Sequence, residues 1–307
     1  MEPSYSGQIG RLRVHYHPIY SDGIHPKARF PRDRYRLIAD RMKHHAGVEI
    51  APARCASYDE LCLAHDPAFV DAFLASALDD KAIRRIGLRP WTDSIIERTQ
   101  RLVGGSLMAL EDALSGVGIG ANLAGGTHHA YSDFGSGYCI FNDIAICARQ
   151  ALQKKSINKI LVLDLDVHQG DGTAEIFQND PDVFTCSIHC HSNFPFRKQK
   201  SDLDVGLPDH IEDDEYLGIL DQVLRQVKPQ NYDLILYQAG VDTLKADALG
   251  KLDLSREGLK HRNRKIFSYY KEYNIPIVIF MGGGYSNPIN ATVDSFEDLF
   301  GQASRLL

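Results

Sequence analysis

Residues 159–172 read KILVLDLDVHQGDG, and no other stretch restricts the fold as strongly. Ile160, Leu161, Val162 and Leu163 form an unbroken apolar run, the pattern of a parallel strand covered on both faces. Asp164, Asp166 and His168 then occupy every second position. Side chains alternate across a strand, so a strand continued to Val167 puts all three on one side. Two carboxylates and an imidazole buried together are costly unless something compensates them. A bound divalent cation is the simplest compensation; a metal-free network of ion pairs at the strand end is the alternative.

Composition fits an enzyme of ordinary type. The chain has 307 residues, 44% of them hydrophobic and 24% charged, which suits one large soluble α/β domain spanning 1–307. A net charge of −6 with no basic block gives no electrostatic reason to expect nucleic acid as a partner. No apolar run approaches the roughly 20 residues that span a bilayer. The opening MEPSYSGQIGRLRVHYHP lacks the apolar core of a signal peptide, so a cytoplasmic location is expected. Cys55, Cys62, Cys139, Cys147, Cys186 and Cys190 form no C-x-x-C pair and read as reduced thiols. Cys186, His189, Cys190 and His191 lack the spacing of a zinc finger.

Strand and helix patterns alternate, which implies a mostly parallel sheet with helices on both faces. Strands are expected around Val14 and at Ile119–Leu123, Ile160–Val167, Val183–Ile188, Leu234–Tyr237 and Pro276–Phe280. Helices are expected from Pro31 to Ala46, at Tyr58–Ala64, Pro67–Ser76, Asp93–Leu114, Ile144–Lys154, Asp214–Val227 and Arg256–Glu272, and after Asn290. The residues at the end of each strand are informative. Gly125-Gly126-Thr127-His128-His129 comes after the second strand, and Asp166 and His168 end the third. His189 comes after the fourth, Gln238-Ala239-Gly240-Val241-Asp242 after the fifth and Gly282-Gly283-Gly284-Tyr285 after the last. Ligands of open α/β sheets bind at the carboxyl ends of the strands, so these groups converge on one edge.

Asp166, His168 and Asp242 would form a three-ligand site of the kind catalytic zinc uses. Iron(II) suits the same donors. His128 and His129, at a glycine-rich bend, are candidates for a base acting on water at neutral pH. Asp164 and Asp171 are the carboxylates available to fix their tautomers. Tyr285, after three glycines, is placed to donate a hydrogen bond to a developing oxyanion.

Four segments in this order resemble the zinc-dependent histone deacetylase family, which has the arginase/deacetylase fold. They are GGTHHAYSDFGSGYCIFNDIAI at Gly125–Ile146, LDLDVHQGDGT at Leu163–Thr173, YQAGVDTLKADALGKL at Tyr237–Leu252 and GGGY at Gly282–Tyr285. The Glu212–Leu217 and Asp247–Leu252 runs and the ending around Asp294–Phe296 look most like the class IV branch and its bacterial relatives. The resemblance implies a single three-layer domain with its active site at the C-terminal strand ends. It implies Asp166, His168 and Asp242 as zinc ligands. His129 would be the general base and acid held by Asp171, and His128 its electrostatic partner held by Asp164. Tyr285 would polarise the carbonyl, Tyr138 and Phe194 would wall an acyl-lysine tunnel, and Gly137 would touch the ligand. It further implies structural potassium near the Asp164–His168 backbone and Ser187, and matches Arg34 to a basic residue of an internal cavity. Two departures stand out. Leu88-Arg89-Pro90 offers no acid where other branches place a rim aspartate, and Tyr138 stands where many relatives have Phe.

The activity so implied is removal of an acyl group, acetyl or a longer chain, from Nε-acyl-lysine by activated water. A small acylated amine such as an acetylpolyamine is a second substrate class. It calls for acids at the rim, where Asp202 and Asp204 sit in a candidate loop together with Lys198 and Lys200. A binuclear manganese ureohydrolase on the same fold would need a second ligand set that the sequence does not display. A non-catalytic acyl-binding module would lack a ligand, base or oxyanion donor, and all are present.

Overall fold

Eight parallel strands form one sheet in the computed structural model, which describes residues 10–307; the segment read for a signal peptide lies partly outside them, at residues 1–9. The strands are β1 (Leu12–Tyr16), β2 (Val48–Pro52), β3 (Ile119–Asn122), β4 (Ile160–Asp164), β5 (Val183–Cys190), β6 (Leu203–Leu207), β7 (Leu234–Gln238) and β8 (Ile277–Phe280). Their order is β2-β1-β3-β8-β7-β4-β5-β6, with helices over the faces, as expected of the α/β class. Every residue of β3, β4, β7 and β8 is buried, which explains their unbroken apolar character. These four are neighbours at the centre of the sheet, so the loops that leave their carboxyl ends meet. No helix among the described residues is long and apolar enough to cross a membrane.

One premise from the sequence is corrected. β4 ends at Asp164, not Val167, so Asp166 and His168 do not share a strand face with it. Instead, Asp164 Oδ1 accepts the amide of Asp166 at 3.1 Å, and Asp166 Oδ1 accepts the amide of His168 at 3.0 Å. These local side-chain acceptors replace the ladder and curl the chain into successive turns. β5 runs two residues past its expected end, so His189 lies inside a strand, bonded to Ser187, and does not line the catalytic pocket. β2 and β6, the two edges, were not foreseen. The first ends in Pro52, which suits an edge, and the second alternates partly buried and exposed residues.

Helix signals were sound to within a few residues. Asp66 caps Pro67–Leu74, with Pro67 in the first turn, and Ser57 and Glu60 form a reciprocal capping box on Tyr58–Leu61. The long helix is Ile95–Asp112, and the one expected from Pro31 is Asp33–Met42. The short helices Ile19–Asp22, Asp80–Ile86 and Asp171–Phe177 were not expected. Asp143, which opens the helix Asp143–Leu152, is fully buried and faces the turn after β3. Its Oδ1 accepts the Thr127 amide at 2.8 Å, and its Oδ2 accepts the Gly126 amide at 3.2 Å and the Ser106 hydroxyl at 2.5 Å. The helix N-terminus favours its negative charge. Asp143→Ala orphans these donors and should lower unfolding free energy by about 2–4 kcal/mol in urea denaturation; a loss below about 0.5 kcal/mol would contradict this anchor.

Candidate active site and metal centre

The four central strands deliver their loops to one place, and each loop brings a distinct chemical group. β3 leads to His128 and His129, β4 to Asp166 and His168, β7 to Asp242 and β8 to Tyr285. Asp166, His168 and Asp242 offer ligand atoms within 4.8 Å of one another, and they are the one such group of three among the described residues. Asp166 Oδ1 and Asp242 Oδ2 each lie 3.1 Å from His168 Nδ1. The remaining carboxylate oxygens accept backbone amides: Gly283 to Asp166 Oδ2 at 2.7 Å, and Val167 to Asp242 Oδ1 at 2.9 Å. Both carboxylates are almost wholly removed from water, at 1% and 0% exposure. Burial alone would pull the His168 pKa down, but the hydrogen bonds and charges of the two aspartates push it up to about 10. Against burial, the charges of His128 and His168 hold Asp166 well below the usual carboxylate range, whereas burial and the Asp166 charge push Asp242 up to about 7; a divalent cation in place of the shared proton would offset both carboxylates. Two hard oxygen donors and one imidazole nitrogen fit zinc or iron(II).

The two adjacent histidines are held differently. Asp164 Oδ2 accepts from Nδ1 of His128 at 2.7 Å, and Asp171 Oδ1 accepts from Nδ1 of His129 at 2.6 Å. This pairing leaves both Nε2 atoms free of their partner carboxylates. Burial disfavours charge on His128, but Asp164 and Asp166 outweigh it and hold the pKa up to about 9. For His129, burial and then the His128 charge prevail over Asp171 and hold it down to about 4. One ring is thus cationic and its neighbour neutral at pH 7, although the rings stand only 4.1 Å apart. Tyr131 adds a second hydrogen bond to Asp171 at 3.0 Å. Burial holds the Tyr285 hydroxyl well above its usual range despite the nearby Arg34, so it remains a donor.

A pocket of about 480 Å³ leads to these groups and is lined in part by His129, His168, Gly137, Tyr138, Phe194 and Tyr285. Gly137 has a left-handed φ of 53°, and a Cβ there would come within 2.7 Å of His129 Cδ2 and 3.0 Å of Phe194. Tyr138 also has positive φ, 68°, which a non-glycine residue adopts only when held; its amide donates to Ile86 O at 2.7 Å. His128, His129, Asp166, His168 and Tyr285 also line a smaller cavity of about 40 Å³, together with Arg34 and Arg98. Leu88-Arg89-Pro90 does not line the pocket; Arg85, Ile86 and Gly87 do. Asp202 and Asp204 are not rim groups either. Asp202 accepts the Thr185 amide and hydroxyl, Asp204 accepts Gln169 and Ser201, and Lys198 is turned onto the carbonyls of Asn193 and Pro195. Ser187 stands opposite Asp164 in the β4–β5 register.

Two supporting residues, Arg262 and Asp247, escaped the sequence reading, and Arg34 has an anchoring role that the sequence does not indicate. Arg262 is fully buried and donates to the carbonyls of Leu165, Ala239 and Gly240, fastening the two loops that carry Asp166 and Asp242. Arg34 does the same for Gly282 and Gly284, beside Tyr285. Asp247 accepts the amides of Tyr285, Leu249 and Gly250 at 2.6–2.9 Å. The partners of both arginines, and Tyr285 as a partner of Asp247, are backbone groups distant in sequence, and no local motif announces such contacts. Only Asp247 lies within one of the four segments that carry the family resemblance.

The sequence model of the histone deacetylase domain matches residues 28–298. An uncharacterized protein of Picosynechococcus sp. is 44% identical over 287 residues, covering 91% of this chain and 94% of that protein. Histone deacetylase 2 of Arabidopsis thaliana is 34% identical over 206 residues, covering 65% of this chain, which spans only 53% of the plant protein. Histone deacetylase 8 of Xenopus laevis is 30% identical over 263 residues, with 79% of each chain covered.

The close approach of Gly283 to the trio gives a direct test. A Cβ at this position would lie 1.8 Å from Asp242 Oδ2. Gly283→Ala should weaken zinc binding at least about tenfold in chelator competition while the protein stays folded by circular dichroism. Unchanged zinc affinity would contradict the assigned donor geometry.

Proposed function

The chain belongs to the histone deacetylase family, and on that premise we propose that it removes a short acyl group, acetyl above all, from Nε-acyl-lysine in a zinc-dependent reaction. It is a hydrolase acting on amide bonds. The observation that carries the finer reading is the convergence of His128–Asp164, His129–Asp171 and Tyr285 on the buried Asp166–His168–Asp242 trio at one pocket. Asp166, His168 and Asp242 would hold the metal, with iron(II) fitting the same donors. Zinc there would supply Lewis-acid polarisation of the acyl carbonyl and lower the pKa of water.

The remaining steps fall to the protein's own groups. Neutral His129 takes a proton at Nε2 from the attacking water, while Asp171 holds Nδ1 and fixes the tautomer. The Tyr285 hydroxyl donates to the oxygen that becomes negative in the tetrahedral species, a contact worth about 3–4 kcal/mol in comparable sites. His128, kept cationic by Asp164, adds positive charge beside the developing anion. His129 then returns the proton to the lysine nitrogen as the C–N bond breaks, releasing a carboxylate and a free amine. Tyr138 and Phe194 would flank the lysine methylenes, with Gly137 against the ligand. A structural potassium ion between Asp164 and Ser187 belongs to the same proposal, as does one catalytic domain over residues 1–307.

Volume supports a short acyl group. The cavity that adjoins the trio, about 40 Å³ and lined in part by His128, Asp166, Arg34 and Arg98, is small and polar, which favours a methyl group over a fourteen-carbon tail. No carboxylate lines the pocket among the described residues, so an acetylpolyamine would meet no counter-charge at the mouth. A binuclear ureohydrolase is not favoured, because only one metal-capable trio is found among those residues.

Two outcomes check this reading. Zinc-loaded protein should hydrolyse an acetyl-lysine peptide at least about tenfold faster than matched octanoyl and myristoyl peptides, and chelation should abolish turnover; a myristoyl preference would contradict the assigned acyl space. His129→Ala should lower kcat by about 10²–10⁴ with zinc content unchanged by elemental analysis, whereas wild-type turnover would remove His129 from the mechanism.

A further inference from the structure

The pocket mouth carries charge of one sign in a chain whose balance is the other. The protein has a net charge of −6, yet the ionic side chains lining the pocket outside the catalytic groups are Arg85 and Lys251. Both are exposed, and each has a side-chain contact beside the mouth. Arg85 sits in the last turn of the helix Asp80–Ile86, whose final carbonyl accepts the Tyr138 amide of the tunnel wall at 2.7 Å. Its guanidinium lies 4.3 Å from the centre of the Phe134 ring, which is itself stacked on Tyr131. It forms no ion pair among the described residues. Lys251 is anchored through its amide to Asn193 Oδ1 at 3.1 Å, and Asn193 also donates to Leu249 O at 2.7 Å. The Lys251 ammonium bonds Ser192 at 2.9 Å and shares Asp209 at 3.7 Å, so Arg85 is the less neutralised cation. Beside them stand two apolar groups in water, Phe196 at 91% exposure and Leu249 at 44%.

A surface of this kind recognises a carboxylate next to an apolar group. We infer that the preferred substrates carry an acidic residue immediately flanking the acyl-lysine, with Arg85 as the principal selecting residue and Lys251 as its auxiliary. The inference rests on the acyl-lysine reading above and specifies its substrate class. A cation on a ring face is held with little loss of side-chain freedom, so less entropy is spent when it meets its partner. The pairing is solvent-exposed, so the selection is modest and sensitive to salt. The same feature repels a lysine-rich flank, which gives discrimination by unfavourable as well as favourable contacts.

Binding and turnover can be read separately. Zinc-loaded protein would be titrated with fluorescent peptides in which a methyl ketone replaces the acetamide, flanked on both sides by Asp, Gln or Lys. At about 50 mM salt the Asp-flanked peptide should bind about fivefold more tightly than the Gln-flanked one, and the Lys-flanked peptide more weakly by a similar factor. The three affinities should converge at about 0.5 M salt and in Arg85→Gln, while Arg85→Lys retains most of the order. Equal affinities in the wild type, or an order that survives Arg85→Gln combined with Lys251→Gln, would overturn the inference. Hydrolysis of the parent acetyl peptides is measured alongside. The charge order without any hydrolysis would support the rim assignment and contradict the deacylase reading; hydrolysis without the order would do the reverse.

Discussion

Everything around the site answers to one cost, that of crowding the carboxylates of Asp166 and Asp242 together out of water beside His168. A buried carboxylate needs several donors, and here the backbone supplies them. The amides of His168, Val167 and Gly283 each point at a carboxylate oxygen. That arrangement demands irregular chain at the ends of β4 and β8 and leaves no space for a side chain at residue 283. A divalent ion is the natural complement of such a donor set, and the need for it follows from charge before any family likeness is considered.

The same logic extends outward. Irregular loops have carbonyls that no ladder satisfies, and two buried guanidiniums take them up: Arg262 for the loops after β4 and β7, Arg34 for the loop after β8. Neither arginine forms a carboxylate pair among the described residues, so each also contributes positive potential beside an anionic centre. Asp143 performs the opposite service for the amides after β3. Catalytic geometry is thus a property of loops, but the loops are held by buried side chains that touch nothing outside the protein. The divergence of His128 and His129 follows directly. Two rings in contact become one cation and one base because Asp164 and Asp166 both act on the first, whereas only Asp171 opposes burial at the second.

Much of this was legible in the sequence, for uneven reasons. The central strands were plain because full burial leaves a continuous apolar run, and the groups after them converge because neighbouring parallel strands end on one side. The convergence of Asp164, Asp166 and His168 was anticipated through strand pleating, yet the chain achieves it with aspartate-capped turns after a shorter strand. Alternating polar residues at a strand end are compatible with either geometry, and only the hydrogen bonds decide. β2 and β6 were missed because short edge strands carry little hydrophobic pattern. Asp202 and Asp204 were misplaced because loop composition says nothing about which way a carboxylate turns; both serve the chain around β5 and β6. Arg262 had no signal at all, since a basic residue in an amphipathic helix ordinarily faces water.

The central claim is that the Asp166–His168–Asp242 trio holds one catalytic metal ion. Zinc added stepwise to metal-stripped protein, with bound metal and acetyl-lysine hydrolysis measured on each sample, tests it most directly. The account predicts saturation near one ion per chain, turnover proportional to occupancy, and loss of both in Asp242→Ala. Full turnover in metal-stripped protein, or activity that appears only with a second ion, would contradict it.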